Sequence, residues 1–464
     1  MIRGPLAAAA LFSAFAWPGW AFAAPAGSAA PPCTPSPDRP PDPRCGENLD
    51  GRGQHDGPGW SAPRALLLAP RLASRAFFWP IVRTTAAMEE HHVAGWLTTW
   101  LTTDDGKIGI RPELEYTSNF LPTVGARVFN HRWPGDGHRT LARFHTAGPA
   151  AWRGELAWAA PPELGLEARL FANRRRDWLF AGIGPLSNAE LERRGLQEAR
   201  YDANVLQAEL GWAPSLGGPF GFELLTDVQR RRYRADRVSQ GEPLGSLYGL
   251  PPEVCAELGF APGCIDPAEV PGFNRGLRIA HLGAELSLAR LPAGRYQSGA
   301  FLGARGNYGH GIDGDPSRHL RLEAEAVGIL GGLDRTLRFR LWAAKVDPLG
   351  DAAVPFDELV APAGDIGMRG FSRGRFRDRS GLSAALEYRW FISFNVDASL
   401  FADLGTVAGP NFSGLGEALL FPSFGVGLRI VSSERPYWMA DPVRGIQVAY
   451  AQGGLRVLLS LAAL

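Results

Sequence analysis

IGMRGFSRGRFRDRSGLSAALEYRWFISFNVDASLFADLG, residues Ile366 to Gly405, opens as a loop rich in glycine and arginine and continues as two strand-like segments. The segments are Leu382 to Phe391 and Asn395 to Gly405, joined by a short turn at Ile392 to Phe394. Successive side chains on a strand point to opposite faces, so Phe401, Asp403 and Gly405 share one face of the second segment. A long connection, Asp347 to Ser380, precedes the pair, and its glycines, Gly370 and Gly374, are expected to permit a tight backbone turn. A long loop entering a short hairpin of amphipathic strands is the pattern of a membrane barrel, with external loops long and internal turns short.

Working outward, the same pattern recurs. Arg278 to Ala289, Gln297 to Asn307, Leu320 to Leu330 and Thr336 to Val346 precede the loop, and Ser423 to Val431, Arg444 to Ala451 and Leu455 to Leu461 follow the hairpin. In Leu337-Arg338-Phe339-Arg340-Leu341 the alternation is nearly pure, apolar on one face and charged on the other, as lipid and lumen require. Connections alternate too: Asp236 to Asn274 and Tyr308 to His319 are long, whereas Pro214 to Pro219, Leu291 to Tyr296 and Gly331 to Arg335 are short. Earlier candidates are Val93 to Thr103, Lys107 to Tyr116, Gly125 to Asn130, Arg139 to Thr146, Ala151 to Trp158, Leu164 to Phe171, Tyr201 to Trp212 and Phe220 to Arg234. The total exceeds an even number by one, so one candidate is superfluous and about 16 strands are expected. The predicted fold is all-β, a transmembrane antiparallel β-barrel over residues 77–464.

Composition agrees. In 464 residues there are 57 Gly, 38 Pro, 25 Phe and 14 Trp but only 4 Met, the mark of short extended elements broken by turns. Aromatics such as Phe77, Phe78, Trp79, Trp96, Trp100 and Trp390 suit the girdles at the two membrane interfaces. Past the N-terminus no apolar run reaches the 18 or so residues of a spanning helix, so a chain that crosses a membrane must do so as a closed barrel. With 48 basic and 47 acidic residues the net charge is +1, which argues against nucleic acid as a partner.

Residues 1–23 read as an export signal: Arg3 at the start, an apolar stretch from Leu6 to Trp20, and Ala21-Phe22-Ala23 for cleavage. Residues 24–76 form a Pro-rich leader whose PPCTPSPDRPPDPRC holds too few large apolar residues for a packed core. Cys33 with Cys45, and Cys255 with Cys264, are candidate disulfides in an exported chain. Neither pair has the spacing or histidine neighbours of a metal site.

The ordered set of Met368-Arg369-Gly370-Phe371 on a long loop, Glu387-Tyr388-Arg389 on the next strand and Phe401-x-Asp403-x-Gly405 on the one after resembles the BamA/TamA-type outer-membrane assembly and translocation barrels, the bacterial surface antigens. Five strands to the C-terminus match the position of the sixth external loop in that family. The resemblance is specific from about Gly364 to Ala451 and architectural elsewhere. It implies that the loop folds into the lumen, where Arg369, Gly370 and Phe371 pin it against the wall motif of Phe401, Asp403 and Gly405, supported by the strand carrying Glu387, Tyr388 and Arg389. An arginine–carboxylate pair in a confined lumen is a strong, directional contact. It also implies a non-enzymatic role in outer-membrane protein assembly or export, although the leader is too short and polar for the periplasmic domains that precede many such barrels.

Other constellations carry less. Glu89-Glu90-His91-His92 alternates faces and reads as a polar rim. Asp313 and Asp315 lack the further ligands of a calcium loop and read as a turn. Arg174 to Arg176 and Arg230 to Arg232 sit at strand ends, placed for lipopolysaccharide phosphates or the lumen. Ser287 and His281 share a strand, but no nucleophile motif surrounds the serine, so no enzyme is expected, nor any cofactor or metal. The expected partners are outer-membrane lipid and lipopolysaccharide, with an unfolded or exported protein as substrate and the barrel itself monomeric. A passive or selective pore, and a surface structural or binding protein, are the alternatives.

Overall fold

The computed structural model describes residues 100–462 except 104, 186–198, 242, 245–269, 291–295, 333–334, 365–366, 394–395 and 431–444, together with 72, 79, 80 and 83. The export signal, nearly all of the leader and both cysteine pairs lie outside the described residues, as does the Glu89 to His92 run.

Sixteen strands follow one another: β1 (Ile108–Thr117), β2 (Thr123–Asn130), β3 (Arg139–Thr146), β4 (Ala151–Ala159), β5 (Leu166–Phe180), β6 (Ala199–Trp212), β7 (Phe220–Arg234), β8 (Leu277–Arg290), β9 (Gly299–Gly311), β10 (Arg318–Gly331), β11 (Arg335–Pro348), β12 (Ser380–Ser393), β13 (Val396–Ala408), β14 (Phe421–Ile430), β15 (Gly445–Ala451) and β16 (Gly454–Ala462). Each pairs antiparallel with its chain neighbours, and β1 pairs with β16 to close the barrel. Closure matters because only a sheet without edges leaves no backbone polar group facing lipid.

The period-2 pattern decides what faces what. On β8, Leu282, Leu286 and Leu288 are exposed on the outside, while His281, next to Leu282, is buried on the inside. Val124, Val128, Phe144, Leu156, Leu170, Leu206, Leu224, Leu302, Leu322, Leu341 and Leu386 continue this exposed apolar belt around the barrel. Buried polar side chains occupy the opposite face, among them Arg127, His145, Asp227, Gln229, Gln447 and Arg456. A molecule with leucine outside and arginine within has lipid as its outer solvent. This is an outer-membrane barrel, and among the described residues no helix is long and apolar enough to cross a membrane.

The longest connections, 181–198, 235–276 and 349–379, all leave the same end. The last is the sixth of the eight loops at that end and is called L6. Strand length is uneven. Strands β5 to β13 run 13–15 residues, whereas β1 to β4 and β14 to β16 run 7–10. At a tilt near 45°, 15 residues rise about 35 Å and 8 residues about 19 Å, so the wall is lowest around the β1–β16 closure. Among the described residues that closure is also the shortest ladder, five residue pairs from Glu113–Ala462 to Thr117–Leu458, against thirteen between β12 and β13.

Val93 to Thr103 is the strand candidate with no counterpart among the sixteen strands, and its residues 93–99 lie outside the described residues. Its described residues hold a helical Trp100 and Leu101 and a Thr102 that only bridges Gly109.

Candidate functional site

L6 leaves β11 at Pro348 and returns to β12 at Ser380, and between them it descends into the lumen. Its tip carries Arg369. The Nε and Nη2 of Arg369 donate to the two carboxylate oxygens of Asp403, at 3.0 and 2.7 Å, and its backbone N–H also donates to Asp403 at 3.0 Å. Nη1 donates to Glu387 Oε2 at 3.0 Å, and Glu387 accepts a further bond from Arg389. The guanidinium lies 3.6 Å from the centre of the Phe401 ring, a cation–π contact. All of these groups are buried. Burial alone would lower the Arg369 pKa, but Asp403 and Glu387 outweigh it and raise it above its ordinary value.

The neighbouring residues shape the contact. Phe371 packs edge-on against Phe376 and Phe421, with ring centres 5.0 and 6.0 Å away. Arg456 of β16 donates to the carbonyls of Arg369 and Phe371, at 2.8 and 2.7 Å, which satisfies two acceptors that a buried loop would otherwise strand. Gly374 has φ +91°, the turn geometry anticipated for it. Gly370 does something different. It is needed for close approach rather than for a turn, because a Cβ there would lie 2.5 Å from Ser423 Cβ and 2.8 Å from Ala451 Cβ. Gly405 is crowded likewise, its missing Cβ 2.5 Å from Met368 Sδ and 2.8 Å from the Leu382 carbonyl. Tyr388 does not join the site. Glu387 and Arg389 face the lumen, so Tyr388 between them faces the other way and packs with Trp390, Ala398 and Leu428.

Glu387 is the eighth residue of β12 and Asp403 the eighth of β13, so the Arg-Gly-Phe tip sits near mid-height in the barrel. A sixth external loop folded to mid-lumen in a closed barrel of sixteen strands, its arginine on the aspartate of an FxDxG strand, decides the architecture. In these features the fold resembles the BamA/TamA-type barrels. The likeness rests on strand count, loop position and the Arg369 cluster.

Comparisons with known proteins give distant likenesses of fold. BamA from Haemophilus ducreyi lacking POTRA domains 1–3 is similar over 77% of this chain and 70% of that one, at 14% identity and a TM-score of 0.49. CdiB from Acinetobacter baumannii is similar over 76% of this chain, at 14% identity and a TM-score of 0.41. CdiB from Escherichia coli is similar over 76%, at 12% identity and 0.45. This chain spans 60% and 63% of those two CdiB chains. No protein-family model and no curated protein matches the sequence.

A second anchor holds the upper part of L6, and sequence reading did not find it. Asp357 accepts from Arg231 Nη1 at 2.6 Å and from the Tyr233 hydroxyl at 3.0 Å, both on β7, while Arg377 reaches its other oxygen at 3.4 Å. Phe356 beside it sits among Tyr201, Tyr233, Phe273 and Phe180, with ring centres 4.9 to 5.9 Å away. Burial would raise the Asp357 pKa, but Arg231 and Arg377 more than offset it and hold the carboxyl below its ordinary value. The only hint in the sequence was the Arg230 to Arg232 cluster. The middle arginine turns inward to L6, whereas Arg230 and Arg232 are exposed outside near the external rim, the side on which lipopolysaccharide phosphates lie.

Arg174 to Arg176 are accounted for by the wall itself: Arg174 and Arg176 face Asp202 at 3.4 and 3.8 Å, and Arg175 pairs with Asp177 at 2.8 Å. Asp315 closes a turn by accepting from the backbone of Ser317 and Arg278, and Asp313 pairs with Arg278 at 3.1 Å.

Proposed function

We propose that the chain works in outer-membrane protein assembly or in protein export, as a barrel normally closed by L6. The observation that carries this reading is the buried Arg369–Asp403–Glu387 cluster, which spends three charged groups on holding a loop in a lumen that an open pore would leave clear. The short β1–β16 ladder supports it, because its five pairs among the described residues are fewer than any other pair of strands would have to part for a polypeptide to pair with, or pass through, the wall. In this reading residues 1–23 are an export signal, residues 24–76 a leader on the periplasmic side, and the two cysteine pairs form local disulfides. Arg230 and Arg232 meet lipopolysaccharide phosphates, and the barrel acts as a monomer.

Single-channel recording in planar bilayers tests the plug. The wild type should show low, flickering conductance and Arg369→Ala a clear increase. A large steady conductance in the wild type would remove the basis of the proposal. A cellular assay for insertion of other barrels, or for appearance of a secreted protein, then separates assembly from export.

A second reading, a selective pore, has one observation in its favour. Beside L6 remains a cavity of about 550 Å³ lined by eight arginines, Arg231 and Arg377 among them, against the carboxylates of Glu115 and Asp357. Strong anion preference with steady conductance in the wild type would favour that reading.

A further inference from the structure

Four lumenal positions line up across the wall where β7 to β10 run side by side. The register sets Asp227 opposite His281, His281 opposite Gly309, and Gly309 opposite His319. Residues directly opposite in an antiparallel sheet project to the same face, so the row points inward with His281. Gly309 makes the geometry possible. A Cβ there would lie 2.5 Å from His319 Cε1, and with no side chain in the way the two imidazoles approach across an intervening strand to 5.8 Å between ring centres.

Glu358 arrives from L6 to face them. Its Oε2 lies 3.6 Å from His281 Nε2 and 3.6 Å from His319 Nε2, and the three ligand atoms are all within 4.8 Å of one another. Its other oxygen is 3.1 Å from Arg231, so the carboxylate is oriented with one oxygen to the arginine and one to the histidines. His281 is oriented as well. Its Nδ1 is 3.1 Å from Asp227, a carboxylate that can hold the proton on that nitrogen when Nε2 coordinates an ion. That Nε2 is buried and has no hydrogen-bond partner, and His319 Nδ1 is in the same position.

The spacing discriminates between a hydrogen bond and a shared cation. A separation of 3.6 Å is too long for an N–H···O bond. It is near the roughly 3.4 Å edge of a tetrahedron whose metal–ligand bonds are about 2.0–2.1 Å. Two imidazoles and one carboxylate, with a carboxylate behind one imidazole, form a donor set suited to zinc-like ions together with its outer support. We propose that His281, His319 and Glu358 bind one divalent transition-metal ion of the zinc class. All three residues are at most 6% exposed, so the site is closed to substrates and its role is structural. The ion ties L6 to the β8–β10 wall, on a different part of the barrel from the Arg369 anchor. This inference holds whichever cargo the barrel handles.

Cobalt titration of the full chain, untagged, folded in detergent and stripped with a chelator, tests it. One equivalent of Co²⁺ should bind with the intense visible bands of a tetrahedral site, and Zn²⁺ should displace it. Glu358→Gln, which leaves the wall untouched, and His319→Ala should each weaken binding about a hundredfold, and Asp227→Asn about ten- to a hundredfold. Stripping should speed proteolysis of L6 in the wild type but change nothing in Glu358→Gln. Absence of the visible bands would overturn the proposal. So would undiminished one-equivalent binding in Glu358→Gln, or in the His281→Ala, His319→Ala double variant when its heat-modifiable gel mobility shows a closed barrel.

Discussion

Arg369 donates to Asp403 from its backbone and from two guanidinium nitrogens, and it reaches Glu387 with a third. Removing one member of such a set leaves an uncompensated charge in a confined space, which costs about 3–5 kcal/mol, whereas replacing a buried pair by apolar groups of similar volume is often near neutral. Asp403→Ala should therefore lower the unfolding free energy of the barrel, from urea titration, by an amount in that range. Arg369→Met combined with Asp403→Leu should recover most of it, because Glu387 keeps Arg389. A loss in the double variant equal to the sum of the Arg369→Met and Asp403→Leu losses would mean that the residues are not coupled. Arg456→Ala should act more mildly, since it strands the carbonyls of Arg369 and Phe371 without leaving a buried charge. A charged donor to carbonyls is worth about 1.5–3 kcal/mol.

At the scale of elements, L6 is a loop that behaves like a core. Met368, Phe371 and Phe376 pack with Val407, Phe421 and Ala451 of the wall, and the backbone passes close enough to β14 and β15 that only glycine fits at 370. Gly370→Ala forces a Cβ to within 2.5 Å of Ser423 Cβ, and overpacking of this kind costs about 1–3 kcal/mol. The loop tip should lift, and single-channel conductance should rise. Adding Ser423→Gly removes the nearer obstruction and should restore part of the closed behaviour. If Gly370→Ala conducts like the wild type, the tip does not govern the pore. The strands were legible in the sequence for a plain reason: lipid on one side and a charged lumen on the other force strict alternation, as in Leu282, Leu286 and Leu288 outside and His281 inside. The candidate at Val93 to Thr103 has no counterpart among the sixteen strands, because alternation is a local pattern whereas a place in the closed sheet depends on the partners of every strand.

For the whole molecule, the deciding feature is asymmetry around the circumference. Long strands stand opposite short ones, and the closure between β1 and β16 is both the shortest ladder among the described residues and part of the lowest stretch of wall. Glu115 and Ser460 face each other across it. A chain with Glu115→Cys and Ser460→Cys, oxidised, should fold and show the wild type's low conductance but lose assembly or export activity, which reductant should restore. Full activity in the oxidised form would show that the closure need not part.

The sequence by itself determined the barrel, its strand number to within one, the end from which the long loops leave, and the identity of Arg369 and Asp403 as residues that could meet. Each of these follows from local periodicity or from motifs a few tens of residues apart. The tertiary structure alone decided the rest. That Gly370 serves close approach, that Tyr388 turns away, that Asp357 forms a second anchor, and that His281, His319 and Glu358 converge all depend on register across several strands and on where a long loop comes to rest. His281 and His319 are 38 positions apart in the chain and two strands apart in the wall. No spacing in one dimension encodes that meeting. It arises because the hydrogen-bond ladder sets both opposite Gly309, the position whose missing side chain leaves them room.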